Sequence, residues 1–581
     1  MNTNAFITFN TLLLIVVYLL VYRFDPEYEE NMAKFIPNHA IVYFEQRDVK
    51  SAIHTFRNSQ LGRNFDSIDF ATTGKKIGVS SKVIDAIEII QNDYTQVFEN
   101  DILDELLGKR FAMAIFWPEK DINEYDYRSF LKENSVIVAE PKHRPELLQY
   151  IAEHSNKKIR GITLQTIQYG NHQISRITSP EGQISLSVIE GLVVTSFNEK
   201  LLKHSIDAYD DEVPSIYNSG SFKKSQEEFV KPQRFIYFPI NTLKEVAYQF
   251  LGLLDPAAQK IIETQLENTE GFSGISYGAW PAKKFVQDKI VFSYNAKLTN
   301  PVVRKHLKTI PTNNSMLELT TRDPLAYYWS NTIDVRHFLG YFPPDDKQDN
   351  PIRNYLTRLE TLSHRTVEEI LGTLGDEVSL VVEKSSDENF IPVPLGAAFF
   401  RVDTTVDLSE FVNYIVDAFE VPVIETVYNS VTYLYWVASP QDGLQPLCGF
   451  WSNLFFIGNS AQLIERVIDG YNENTSLLSN PQIKGIDPGI TMENNSITYF
   501  NNVEMIGLSQ RLLSAVSTMI SMEDRGKAEK ARVIINEVVN PLLNGLKEYN
   551  KSCTRSYFAP GMVVIDSRTS IASKNSDKEA K

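Results

Sequence analysis

Two short passages set the pattern along the chain. In LLGKRFAMAIF (Leu106 to Phe116), Phe111, Met113 and Ile115 fall on alternate positions, the period of a strand. In TLGDEVSLVVE (Thr373 to Glu383), Val378, Leu380 and Val382 do the same. Each strand pattern follows a glycine, and each glycine follows a helical pattern. Phe98, Ile102 and Leu106 share a helical face before Gly108; Val367, Ile370, Leu371 and Leu374 share one before Gly375. Gly108 and Gly375 are therefore expected to be structural residues that stop helices, because glycine takes the left-handed conformation at little cost. The charges that follow are Lys109 and Arg110 in one passage, Asp376 and Glu377 in the other. Neither sign is required by the junction, which argues against a shared catalytic role there.

The correspondence extends well beyond these passages. HAIVYFEQRDVKSAI, from His39, aligns with PLAYYWSNTIDVRHFL, from Pro324, each a strand leading into a helix. SVIVAEPKHRPELLQYIAEH aligns with GAAFFRVDTTVDLSEFVNYIVDAF. YGNHQISRITSPEG (Tyr169 to Gly182) aligns with YNSVTYLYWVASPQDG (Tyr428 to Gly443), each a strand, a Ser-Pro turn and a return strand. GLVVTSFNEKLLKHSIDAYDDE aligns with NLFFIGNSAQLIERVIDGYNEN, where an Ile-Asp pair and a following Tyr recur. The shared order reads as one unit used twice. The expected fold class is α+β: two tandem homologous units, residues 32–300 and 301–571, each a largely antiparallel sheet with packed helices. The second carries a longer helical insert, MISMEDRGKAEKARVIINEVV, and residues 572–581 form a polar tail.

One stretch departs from the pattern. Ala5 to Tyr22, AFITFNTLLLIVVYLLVY, contains no charge. As a helix rising ~1.5 Å per residue it reaches about 27 Å, the thickness of a bilayer core. The start MNTN lacks the basic residues of a cleaved leader, and no Ala-x-Ala site follows. The sequence therefore predicts a single-pass membrane anchor over about 5–22, within a segment 1–31. It places the body on the extracytoplasmic, periplasmic side of the inner membrane.

Composition narrows the function. The chain has 581 residues and a formal net charge of −16, which disfavours a general nucleic-acid binder. Its two cysteines, Cys448 and Cys553, are too few for a disulfide-stapled scaffold or a four-cysteine zinc site. They read as separate buried thiols, with one disulfide as the alternative.

The IPNHAIVYFEQRDV opening, the LGKRFAMAIF and LGDEVSLVVE steps and GLVVTSFNEKLLKHSIDAY resemble an uncharacterised bacterial envelope family. Its members carry an N-terminal anchor and a large extracytoplasmic domain of unknown function. The resemblance implies an envelope location and supplies no catalytic residues.

Candidate chemistry is sparse. Ser221 and Lys224 in SGSFKKS have the Ser-x-x-Lys spacing of serine acyl-enzymes, without the supporting Ser-Asp-Asn and Lys-Thr-Gly elements. Asp345, Asp346 and Asp349 lack the ordered spacing of a calcium loop. The Gly-Lys pair of TTGKK has Asp69 where a phosphate loop needs glycine. No histidine pair has i, i+4 spacing. No cofactor or metal is expected. The reading is a non-enzymatic binding or scaffolding module of the envelope, its partner an envelope protein or an apolar ligand. The alternatives are a hydrolase using Ser221, or a lipid carrier built on aromatic strands such as VTYLYWVA and CGFWSNLFFIG.

Overall fold

The computed structural model describes residues 31–572, apart from 89–108, 119–126, 142–162, 337–356, 386–392, 403–411, 413–421, 437–444 and a few shorter gaps. The stretch 5–22, Gly108, the face formed by Phe98, Ile102 and Leu106, the Asp345–Asp349 loop and the tail after Ala572 all lie outside the described residues.

The chain divides into two compact units. The first comprises residues up to Asn58 together with Asp85–Trp280 and Lys289–Asn300; the second comprises Ser59–Ile84, Pro281–Asp288 and Pro301 onward.

In the first unit the strands are β1 (Ala40–Arg47), β2 (Arg110–Phe116), β3 (Ser135–Glu140), β4 (Thr163–Tyr169), β5 (His172–Ser179), β6 (Gly182–Ile189), β7 (Leu192–Ser196), β8 (Arg234–Pro239), β9 (Phe272–Pro281) and β10 (Phe285–Tyr294). Hydrogen bonding orders them β4-β5-β6-β7-β3-β2-β1-β8-β9-β10.

The strands of the second unit are β11 (Ala326–Ser330), β12 (Leu374–Glu383), β13 (Leu395–Val402), β14 (Val423–Tyr428), β15 (Val431–Trp436), β16 (Leu447–Trp451), β17 (Leu454–Gly458), β18 (Ser496–Asn501), β19 (Tyr549–Ala559) and β20 (Met562–Ile571). Their order is β14-β15-β16-β17-β13-β12-β11-β18-β19-β20, place for place that of the first unit.

The fold class expected from the sequence needs correction in its sheets. The twenty strands are linked in one 20-stranded antiparallel sheet, not one sheet per repeat. A sequence repeat marks where a pattern recurs, not where backbone hydrogen bonding stops. The transmembrane helix expected over about 5–22 falls outside the described residues; among the described residues no helix is long and apolar enough to cross a membrane. The longest, Asn502–Glu523, carries Glu504 and Arg511 and a series of serines, a poor match to hydrocarbon.

Local signals explain the shared elements. After β7 a helix spans Glu199–Tyr209, started by Asn198, whose side chain accepts from Lys200 N–H. After β17 the matching helix spans Ala461–Asn472, started by Ser460, which accepts from Leu463 N–H. Both caps satisfy amide groups the helix leaves open. Both helices bury one apolar stripe: Leu202 and Ile206 in one, Leu463, Ile464, Val467 and Ile468 in the other. Two-residue turns join β4 to β5 and β14 to β15. Gly170 takes the left-handed conformation in the first; Asn429 and Ser430 both take it in the second, as a type I′ turn demands.

Each core is built on a pair of tyrosines. Tyr43 on β1 sits opposite Tyr237 on β8, and Tyr327 on β11 opposite Tyr499 on β18. All four are almost wholly buried. In the first unit Phe222 packs edge-on to both tyrosines, with ring centroids 5.9 and 5.1 Å away. In the second the cluster includes Trp329, Val381, Phe399, Val431, Tyr433 and Phe456. The aromatic strands that suggested a carrier thus contribute to a packed core.

Candidate functional site

Ser221 and Lys224 lie on the helix Gly220–Glu227. The Ser221 hydroxyl is 2.7 Å from the Tyr237 hydroxyl and 2.8 Å from that of Ser219. Its partners are neutral hydroxyls, whereas a serine nucleophile needs an adjacent base to take its proton. Lys224 is exposed.

Cys448 and Cys553 are both buried and unbonded to one another. Burial pushes the Cys448 thiol up to about 12, and that of Cys553 well above the ordinary range. Neither is poised as a thiolate nucleophile. Among the described residues no group of three or more His, Cys, Asp or Glu is arranged to hold a metal ion.

Gly375 lies inside β12, not at a helix end. The preceding helix, Val367–Leu371, begins with a Thr366–Glu369 capping box and closes at Gly372. Gly375 is outside the left-handed region, and a Cβ there would meet the Arg401 carbonyl oxygen at 3.3 Å. Its smallness serves close strand approach rather than helix termination.

The charged residues after the glycines have partners that the sequence did not reveal. Arg110 on β2 is buried, with Nε 3.2 Å from Glu140 Oε2 on the adjacent β3 and Nη1 3.7 Å from Glu45 Oε1 on β1. The matching residue on β12 is Glu377. It accepts a hydrogen bond from Arg401 Nε on the adjacent β13 at 2.6 Å, and others from Trp329 Nε1 at 3.0 Å and Ser315 Oγ at 2.7 Å. Arg401 also bonds the Ser315 hydroxyl. Register places Glu140 and Arg401 at the same site of the repeat, as it does Glu45 and Trp329. Burial pushes the Glu377 carboxyl upward, but the bonds from Ser315, Arg401 and Trp329 outweigh it and hold the group below the usual carboxylate range.

A second pair recurs without reversal. Tyr169 at the end of β4 donates to Asp207 of the following helix at 2.8 Å, and Tyr428 at the end of β14 donates to Asp469 at 2.8 Å. The bond to Asp207 pushes the Tyr169 phenol up to about 12. The repeated Ile-Asp and strand-end tyrosines were the signal in the sequence, though not the bond between them.

A third cluster belongs to the second unit alone. The buried Lys551 places Nζ 2.7 and 2.8 Å from the two Asp323 oxygens, and Tyr499 donates to the same carboxylate at 2.8 Å. The first unit has Gly274 in place of Lys551. A Cβ at Gly274 would lie 2.7 Å from the Tyr237 ring. Each of these charged side chains is occupied by a partner of opposite charge or by donors within its own unit.

The backbone differs in this respect. Among the described strands, β4 pairs only with β5, and β14 only with β15. Tyr169 faces His172 and Tyr428 faces Val431 across two-residue turns, so these residues, and every second one before them, bond inward. Leu164, Thr166 and Gln168 of β4 therefore aim backbone N–H and C=O groups away from the sheet. Val423, Glu425 and Val427 of β14 do the same.

Known proteins add little chemistry. No curated protein matches the chain. Solved structures of TP0453 are similar over part of it. Crystal form III shares 10% identity, covers 47% of this chain and 82% of that one, and has a TM-score of 0.21. For crystal form IV the values are 10%, 45%, 80% and 0.22. TM-scores this low support no inference about fold or function. An uncharacterised family, described as Protein of unknown function (DUF3352), matches residues 67–359, half of the chain, and the protein belongs to it.

Proposed function

We propose that this protein is a non-enzymatic binding or scaffolding module, placed at the cell envelope as the sequence resemblance implies. The observation that carries the reading is the outer edge of the end strand of each unit, whose outward backbone groups have no strand partner among the described residues. An exposed edge is a template for an added strand: main-chain bonds give affinity and alternate side chains give selectivity. The Ser221 hydroxyl, which suggested chemistry, is instead bonded to the hydroxyls of Tyr237 and Ser219.

Hydrogen exchange on the full chain tests this. The outward amides of Thr166, Gln168, Glu425 and Val427 should exchange fast in the purified protein when it is too dilute to self-associate. They should become protected in an envelope extract. Fast exchange under every condition would refute a binding role for these edges. A fluorophosphonate probe tests the hydrolase alternative: labelling abolished by Ser221→Ala would overturn the non-enzymatic reading. Cell fractionation that finds the chain away from the envelope would remove the proposed location.

A further inference from the structure

The two free edges differ in one respect that selects a partner. β4 reads TLQTIQY, with no charge and no proline. Proteins commonly protect an exposed edge with lysine, proline or a bulge. The β4–β5 register runs unbroken from Thr163 opposite Thr178 to Tyr169 opposite His172, so no bulge interrupts it. Thr163, Gln165, Thr166 and Gln168 are exposed. β14 reads VIETVY and carries Glu425 at the middle of its outward set.

Consider a second copy approaching each edge about a two-fold axis. On β4 the outward residues Leu164, Thr166 and Gln168 pair about Thr166. Leu164 of one copy then faces Gln168 of the other, and Thr166 faces Thr166. Every outward N–H finds an outward C=O, and no charge opposes another. The Thr–Thr contact at the axis is a favourable cross-strand pair. On β14 the same operation centres on Glu425 and sets two carboxylates face to face, which is destabilising. The first edge is self-complementary and the second is not.

We propose that the protein self-associates through β4, by antiparallel pairing with β4 of a second copy about Thr166. This rests on the reading of the end strands as docking edges and names the occupant of one of them. The contact is isologous and closed, so it yields a dimer and not a fibre. The β14 edge stays outside that contact.

Sedimentation of the full chain over a wide concentration range tests it. The expected result is a monomer–dimer equilibrium. Thr166→Pro removes an outward N–H without touching the β4–β5 bonds, and edge strands tolerate proline there. It should leave a monomer. Val427→Pro makes the same change on the other edge and should leave the dimer intact. Thr166→Lys and Thr166→Glu guard against a proline variant that misfolds. Each alone should be monomeric, and their equimolar mixture should dimerise again. A wild-type chain that is monomeric throughout, a dimer that survives Thr166→Pro or Thr166→Lys, or a mixture that fails to re-form dimer would each overturn the proposal. Protection of the same amides by an extract but not by the chain itself would replace self-pairing with a different strand partner, while the binding reading stands.

Discussion

At the start of β2 the first unit pairs Arg110 with Glu140. At the matching position of β12 the second pairs Glu377 with Arg401. The position in the fold is the same, the adjacent strand is the same, and the signs are exchanged. The repeat therefore conserves neutralisation between neighbouring strands rather than a particular charge. The third participants differ too. Arg110 is flanked by a second carboxylate, Glu45, whereas Glu377 lies under the indole N–H of Trp329 and beside the Ser315 hydroxyl. A catalytic acid or base tolerates no such exchange, because its role depends on which atom holds the proton. A structural tie tolerates it readily.

The sharpest way to break the comparison is to remove the third participant. Trp329→Ala should lower the unfolding free energy by about 3–5 kcal/mol, since a fully buried aromatic leaves a cavity. Glu45→Ala at the matched site should cost about 1 kcal/mol, the scale of one hydrogen bond. Chemical denaturation measures both, and equal losses would dissolve the distinction.

Next comes the polarity itself. Arg110→Glu sets like charges together in a buried site and should cost about 3 kcal/mol. Adding Glu140→Arg should recover most of that loss, because the first unit then carries the polarity of the second. The converse exchange, Glu377→Arg with Arg401→Glu, should recover less. Trp329 and Ser315 would then donate to a side chain that accepts nothing.

A gentler probe is pH. The folded carboxyl of Glu377 is held low, so its stabilising contribution is complete above the unfolded carboxylate value of about 4.3. It is lost as pH falls through the lower folded value. Thermal melts in acid should therefore decline less steeply for Glu377→Gln than for the wild type in that window. Parallel curves would show that the carboxylate is not preferentially stabilised.

The smallest effect should come from the tie the units share unchanged. Tyr169→Phe and Tyr428→Phe each remove one phenol bond to a helix aspartate at the same repeat position. The two melting temperatures should fall slightly and equally. A loss confined to one variant would mean that the second tie, too, has diverged.

Much of the strand-and-helix succession was legible because it depends on local pattern. The Ile-Asp pair followed by Tyr marked the same helix in each unit, and both helices bury the stripe their apolar period describes. The strand order was not legible, because nothing in β3 announces that its other neighbour is β7. Alternation also misled about emphasis. Phe111, Met113 and Ile115 share a face, yet the more deeply buried face of β2 is Arg110, Ala112, Ala114 and Phe116. On β12 Leu380 is exposed, while Ser379 and Val381 are buried. Close packing favours small side chains, so residue size was a poor guide to depth. The reversed charges were visible in the sequence, but their partners sit on strands about 25–30 residues away along the chain, and spacing alone does not name them.

The residues Ser59–Ile84 have a consequence for how the protein is made. They belong to the second unit, where Leu61 lies tight against Gly545. Asn64 donates to the Pro541 carbonyl, and Thr73 and Lys76 both reach Glu537. Thr73 and Glu537 are 464 residues apart. At the ~5–20 residues per second of synthesis, the early helices leave the ribosome roughly 25–90 s before their docking site exists. Throughout that interval they are an unfinished surface in a crowded cell, and the second unit closes only when the last tenth of the chain has emerged.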